Sequence, residues 1–187
     1  MVRLFIAVNL PDDLRGKLVS IQEQLPRHGL KLVEPENLHL TLKFLGEVRE
    51  DAVSEVGRAM TEAVADRASF EVEVAGLGAF PDLRRPRVIW AGVTGGKQDV
   101  MSLQARLEDA LQSLGFQRER DFHPHVTLAR VTLPAASRTI ADVVRRVKSA
   151  VFGSFAVREV DLMKSTLTPK GPIYEKVLSA RLREASS

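Results

Sequence analysis

Apolar and polar residues alternate along residues 2–9, "VRLFIAVN", and that period of two marks a first strand. The pattern then lengthens. Leu14, Leu18, Ile21 and Leu25 recur at helical spacing behind Asp12 and Asp13, either of which can cap a helix that Pro26 and Gly29 end. A short strand near 30–34 leads into "HLTLKFL" (39–45), a strand that opens on a histidine. A second helix covers about 50–66, with Val53, Val56, Met60 and Val64 on one face. Long apolar-polar runs at 69–80 and 86–94 read as strands. A third helix, about 97–114, carries Val100, Leu103, Leu107, Leu111 and Leu114. "FHPHVTLARV" (122–131) follows, then a helix near 136–149, a long strand near 153–167 and a last strand near 172–181.

This order occurs twice: strand, helix, His-x-Thr strand, helix, long strand. "RLFIA" at 3–7 aligns with "RVIWA" at 87–91, Phe70 before "EVEV" aligns with Phe155 before "AVREV", and the motif histidines His39 and His125 lie 86 positions apart. The repeat predicts an α+β fold. One domain spans 1–187 and is bilobal, with an internal repeat of about 1–83 and 84–180 related by a pseudo-two-fold axis. Antiparallel sheets face a central cleft and helices lie outside. The last strand is free to return to the first lobe, so the lobes need not be contiguous in sequence.

Side chains alternate along a strand, so residues i and i+2 share a face. His39, Thr41 and Lys43 then point one way, and Leu40, Leu42 and Phe44 point into a core. In the second copy His125 and Thr127 share a face, backed by Val126 and Leu128. Arg130 alternates away from His125 unless the strand ends or twists there. A two-fold axis brings both polar faces onto one cleft. Two opposed histidines suit in-line displacement at phosphorus: one imidazole takes a proton from water, the other gives one to the leaving oxygen. Histidine titrates near neutrality, at about 6.5, so both forms are at hand. Threonine hydroxyls can bind the non-bridging oxygens, and a nearby cation can stabilise the added charge.

A single strand histidine is ordinarily a surface or satisfied residue, and threonine is common in strands for its branching alone. Two copies in equivalent places of a repeat shift the weight to catalysis. His28, in a turn, reads as solvated, and His123 as structural. "HPH" (123–125) plus His39 could hold zinc. The carboxylates show no ligand spacing, however, and the threonines would go unexplained, so the expected site uses no cofactor.

Composition narrows the class further. The absence of cysteine excludes disulfides, zinc–thiolate sites, Fe–S clusters and a thiol nucleophile, and makes the cytosol the default location. Apolar content of 44% is ordinary for a globular chain, and no stretch has the length to span a membrane. "MVRLFIAVNLPDD" reads as a strand and not a signal peptide. Net charge of +3 and a pI of 9.4 permit an anionic partner. Arginines cluster at "DLRRPR" (82–87) and "VVRRVK" (143–148). Arginine suits phosphate, although a solvated surface is the commoner fate of such a cluster.

The doubled motif resembles the signature of the two-histidine (2H) phosphoesterase superfamily. More narrowly, the chain resembles the RNA 2′,3′-cyclic phosphodiesterases, also called 2′-5′ RNA ligases (LigT/ThpR-like). The likeness runs through "RLFIAVNLP", "NLHLTLKFLGEV", "GLGAFPDLRRPRVIWAGV", "FHPHVTLAR" and "LMKSTLTPKGPIYEKV". The resemblance implies hydrolysis of a terminal 2′,3′-cyclic phosphate to a 2′-phosphate, by a monomer acting on RNA 3′ ends, tRNA-derived ends among them. It implies that His39 protonates the leaving 3′ oxygen and His125 activates water, an assignment the repeat alone leaves open. Thr41 and Thr127 would bind substrate, and Arg130 would contact it. Lys43 contacts phosphate or stays solvated, with equal weight on each. Phe44 and Trp90 read as core, and Tyr174 stacks or packs. Three rivals stand beside this reading: another 2H reaction such as opening a small cyclic nucleotide or 2′-5′ ligation, a non-catalytic RNA-end-binding module, and a metallohydrolase.

Overall fold

The computed structural model describes all 187 residues. Its elements run β1 (Val2–Asn9), α1 (Asp12–Gln22), β2 (Leu30–Leu32), β3 (His39–Val48), α2 (Val53–Val64), β4 (Phe70–Phe80), β5 (Val88–Val93), α3 (Lys97–Gln112), β6 (His125–Val131), α4 (Ser137–Arg146), β7 (Val151–Val157), β8 (Glu159–Thr168) and β9 (Gly171–Arg181). Every element matches an expected strand or helix except for one division. The single strand read over 153–167 is two strands, β7 and β8, parted at Arg158. Residues on both sides of the break carry the same apolar-polar alternation, so nothing in the pattern marks it.

The strands form one continuous sheet in the order β7-β4-β5-β6-β3-β1-β8-β9, with β2 added against β6. Every strand pairing is antiparallel. The order mirrors about the β3–β6 seam, where a single register pair, Leu40 opposite Val126, joins the halves. The sheet halves are not the sequence halves. β4 leaves the first half of the chain to lie between β5 and β7, and β8 leaves the second half to lie between β1 and β9.

The four helices pack on one face of this sheet and on each other, α1 against β6 and β7, α2 against α3 and β9, α3 against β3 and β4, α4 against β4. Their apolar stripes meet the inward residues of the strands in one cluster, and Leu18, Leu42, Met60, Ile89, Leu107 and Leu128 are fully enclosed in it. Burying such side chains stabilises by about 1.5–3 kcal/mol each. Neither Asp12 nor Asp13 caps α1. Pro11 takes the cap position in extended backbone and both aspartates fall in the first turn, where Asp12 pairs with Arg15. Acidic side chains there suit the positive end of the helix dipole. No helix is long and apolar enough to cross a membrane. The opposite face of the sheet carries the cleft.

Candidate active site

His39 and His125 begin β3 and β6, the two strands that meet at the seam. Each ring is anchored the same way. Nδ1–H of His39 donates to the carbonyl of Asn37 at 2.6 Å, and Nδ1–H of His125 donates to the carbonyl of His123 at 2.6 Å. A backbone carbonyl can only accept, so in each neutral ring the proton sits on Nδ1 and Nε2 is left free to act. In His39 that Nε2 accepts from the Thr41 hydroxyl at 2.8 Å. Asn37 is itself tied down, donating its amide to the Pro172 carbonyl of β9 at 3.0 Å. Each imidazole is also edged by a pair of aromatic rings. Phe5 and Tyr174 lie 4.9 and 5.4 Å from His39, centroid to centroid, and Phe80 and Trp90 lie 5.0 and 6.2 Å from His125.

Those walls lower both pKa values. Burial is the main cause for His39; the Asn37 carbonyl pulls the other way, and a charge on His125 lowers it further. Burial likewise dominates at His125, opposed by the His123 carbonyl and reinforced by the His123 side chain. Leu40 pairs with Val126 at the seam, so the two histidines start adjacent strands and line one cleft.

Two adjoining hollows of about 240 and 180 Å³ make up that cleft. One holds His125, the other His39, and they share Thr41, Thr127, Phe44 and Arg130. The structure thus brings together His39, Thr41, His125, Thr127 and Arg130. The wall beside His125 carries Glu119 and Asp121; the wall beside His39 carries Lys31 and Lys170 with one acid, Glu34. Burial, with Glu108 behind it, raises the Glu119 pKa. Burial also raises that of Tyr174, while Arg130 opposes the rise from across the cleft.

Lys43 is not in the site. It is 3% exposed and lies on the helix side, where its Nζ donates to Glu108 Oε1 and Oε2 at 3.0 and 2.9 Å and to the Gln117 carbonyl at 2.8 Å. The cause is a β-bulge. Ile6 pairs with Lys43 and Ala7 with Thr41, so Leu42 is the extra residue and alternation inverts after it. Leu42 and Lys43 both face inward, and Phe44, read as core, turns out into the cleft with 70% exposure. The second motif repeats the device. Ile89 pairs with Ala129 and Trp90 with Thr127, so Leu128 is extra and Arg130 swings onto the face of His125. Trp90 is half-buried on that same face, not within the core. The pairing also moves the repeat by one position, setting Ala7 and Trp90 opposite the motif threonines.

Two signals could have exposed the bulge. Position 129, the counterpart of Lys43, is alanine, which suits an inward site better than a phosphate-binding one. Gln104 and Glu108 also fall on the apolar face of α3 at helical spacing from Leu107 and Leu111, so a buried polar partner was required.

No three His, Asp or Glu side chains converge in an arrangement that could hold a metal ion. A larger hollow of about 930 Å³ lies past Asn9. Its buried carboxylate, Asp161, is already engaged by the Asn9 amide at 2.6 Å, by the Ser179 hydroxyl, and by Lys176 at 3.3 Å.

Residues 10–168 match the family model described as the 2′-5′ RNA ligase superfamily. An RNA 2′,3′-cyclic phosphodiesterase of Archaeoglobus fulgidus is 41% identical over 175 residues, covering 93% of this chain and 97% of that one. One of Methanocaldococcus jannaschii is 35% identical over 176 residues, covering 94% and 98%. Among solved structures, TT0787 of Thermus thermophilus superposes with a TM-score of 0.83 at 33% identity, covering 98% of this chain and 100% of that one. E. coli LigT complexed with 3′-AMP gives 0.79 at 27% identity, covering 98% and 99%.

Proposed function

Since the chain belongs to the 2′-5′ RNA ligase superfamily, we propose that it hydrolyses the 2′,3′-cyclic phosphate at an RNA 3′ end to a 2′-phosphate by metal-free two-histidine catalysis. Its similarity to the archaeal cyclic phosphodiesterases supports the substrate class. The observation that carries the chemistry is the matched anchoring of His39 and His125, which leaves two Nε2 atoms on one cleft.

His125, neutral, takes a proton from water as the oxygen attacks phosphorus. His39, protonated, gives its Nε2 proton to the 3′ oxygen as the P–O3′ bond breaks, leaving the phosphate on O2′. Thr41 and Thr127 donate hydrogen bonds to the non-bridging oxygens, and Arg130 stabilises the added negative charge. The Thr41 hydroxyl that donates to His39 in the free protein is released when that ring is protonated, and can turn to phosphate. With a ribose hydroxyl in place of water, the same groups would join RNA ends through a 2′-5′ bond. Every one of these groups comes from a single chain, which suits a monomer, and tRNA-derived ends in the cytosol are the natural source of substrate.

The test is a product assay in excess EDTA on a short RNA ending in a 2′,3′-cyclic phosphate. The protein should convert it to a 2′-phosphate end. His39→Ala and His125→Ala should each lose about 10²- to 10⁴-fold in rate. No conversion, with EDTA or with added divalent metal, sinks the reading.

A further inference from the structure

Arg130 does not stand alone. In the sheet it lies opposite Lys31 of β2 on one side and Val88 of β5 on the other. The chain entering Val88 is the loop that holds Arg84, Arg85 and Arg87. Two backbone bonds fasten this loop beside Arg130: the Arg87 N–H donates to the Phe80 carbonyl at 2.7 Å, and the Val131 N–H donates to the Arg87 carbonyl at 2.9 Å. Just past Arg130, the three loop arginines wall a second groove of about 580 Å³, floored by Val131, Thr132 and Leu133.

All of these cations are exposed and none has a carboxylate partner. The ion pairs of the molecule leave out Lys31, Arg84, Arg85, Arg87 and Arg130. The loop does contain an acid, Asp82, but its Oδ1 is taken by the backbone N–H groups of Arg84 at 2.7 Å and Arg85 at 3.0 Å. That turn shapes the loop; the Asp82 charge lies near Arg84 and Arg85 but forms an ion pair with neither guanidinium, and Arg87 and Arg130 have no such neighbour in the loop. Beyond His125 the cleft wall is acidic, with Glu119 and Asp121. A polyanion leaving the cleft is repelled on that side and attracted past Arg130.

We propose that the groove of Arg84, Arg85 and Arg87 is a track for the phosphodiester backbone of the RNA on the 5′ side of the reacting end. The preferred substrate is then an oligonucleotide and not a cyclic mononucleotide. This rests on the cyclic phosphodiesterase reading and adds a site to it. The groove offers guanidinium forks and small apolar or hydroxyl side chains, with no amide or carboxylate to read base edges. Recognition there depends on length and not on sequence.

The test compares a 2′,3′-cyclic mononucleotide with a short single-stranded RNA ending in the same cyclic nucleotide, on the wild type and on Arg84→Gln/Arg85→Gln/Arg87→Gln. kcat/KM is followed from about 50 to 200 mM salt. The wild type should favour the longer RNA, with activity on it falling as salt rises. The triple variant should lose about 10- to 100-fold on the longer RNA at low salt. Its log–log salt slope should shrink by about 0.7 for each phosphate contact removed. The mononucleotide should be turned over equally by both proteins. An unchanged slope and rate on the longer RNA overturns the track. In parallel, fluorescence anisotropy measures binding of a labelled RNA of the same length ending in a 2′-phosphate. Weaker binding by the variant without turnover by either protein upholds the track and fails the proposed reaction. Equal binding removes the track whatever the activity.

Discussion

His39 and His125 each commit Nδ1 to a carbonyl two residues upstream, and the walls around the rings decide how they titrate. Both pKa values lie below the ordinary histidine value, with burial the first cause in each. A base with a lowered pKa stays competent in more acidic solution, and an acid with a lowered pKa gives up its proton there. Both limbs of the kcat/KM profile, which reports the free protein, therefore move to the acid side of about 6.5. A bound phosphate favours the imidazolium form and pulls both limbs back. The kcat profile, which reports the complex, should peak at higher pH than the kcat/KM profile. Coincident peaks, or a kcat/KM peak above neutrality, would contradict this account of the two rings.

The bulge in β3 is what separates Lys43 from Thr41, and the ion pair it creates acts at a distance. Glu108 accepts from Lys43, from Gln104 at 2.9 Å and from the Glu119 N–H at 3.3 Å, while Lys43 also holds the Gln117 carbonyl. The pair thus fastens the segment leading to His123 and His125 onto the strand of His39. Lys43→Ala leaves a buried carboxylate uncompensated and should cost about 3–5 kcal/mol in a urea titration, with Lys43→Met/Glu108→Leu recovering most of it. A loss under about 1 kcal/mol would show that the pair holds nothing. Elements of this kind mark the boundary of what the sequence makes legible. Strong periodicity located β1, β3, β4 and the helices, and the doubled His-x-Thr pointed to the cleft that forms the candidate site. A bulge built from Leu42 and Lys43 has no glycine or other local mark, since it is decided by which neighbour each face must meet. Lys43 and Phe44 therefore exchange faces, and Arg130 reaches a cleft that simple alternation denies it. The break at Arg158 is hidden for the same reason: it is set by which neighbours β7 and β8 pair with, β4 for one and β1 for the other.

At the scale of the whole molecule, the exchange of β4 and β8 binds the two sequence halves into one object. Residues 1–83 carry β4 without β5 and β7, and residues 84–187 carry β8 without β1. Expressed alone, neither piece should show a cooperative unfolding transition, and mixing them should restore one. A cooperative transition in either fragment would mean that a lobe stands without its borrowed strand. The mirror order of the sheet also bears on product identity. The two histidines are hung on their strands in the same way, so the proposed acid–base pair by itself has no handedness. A ribose docked end for end would offer its other oxygen to the protonated ring and would leave with phosphate on the 3′ carbon. The linings differ in charge, with Glu119 and Asp121 beside one ring and Lys31, Lys170 and the single acid Glu34 beside the other, an asymmetry able to break the tie. On the proposed reaction, charge at the lip of the cleft is expected to decide which oxygen leaves, and reversing those charges should shift the product from a 2′- to a 3′-phosphate without touching either histidine.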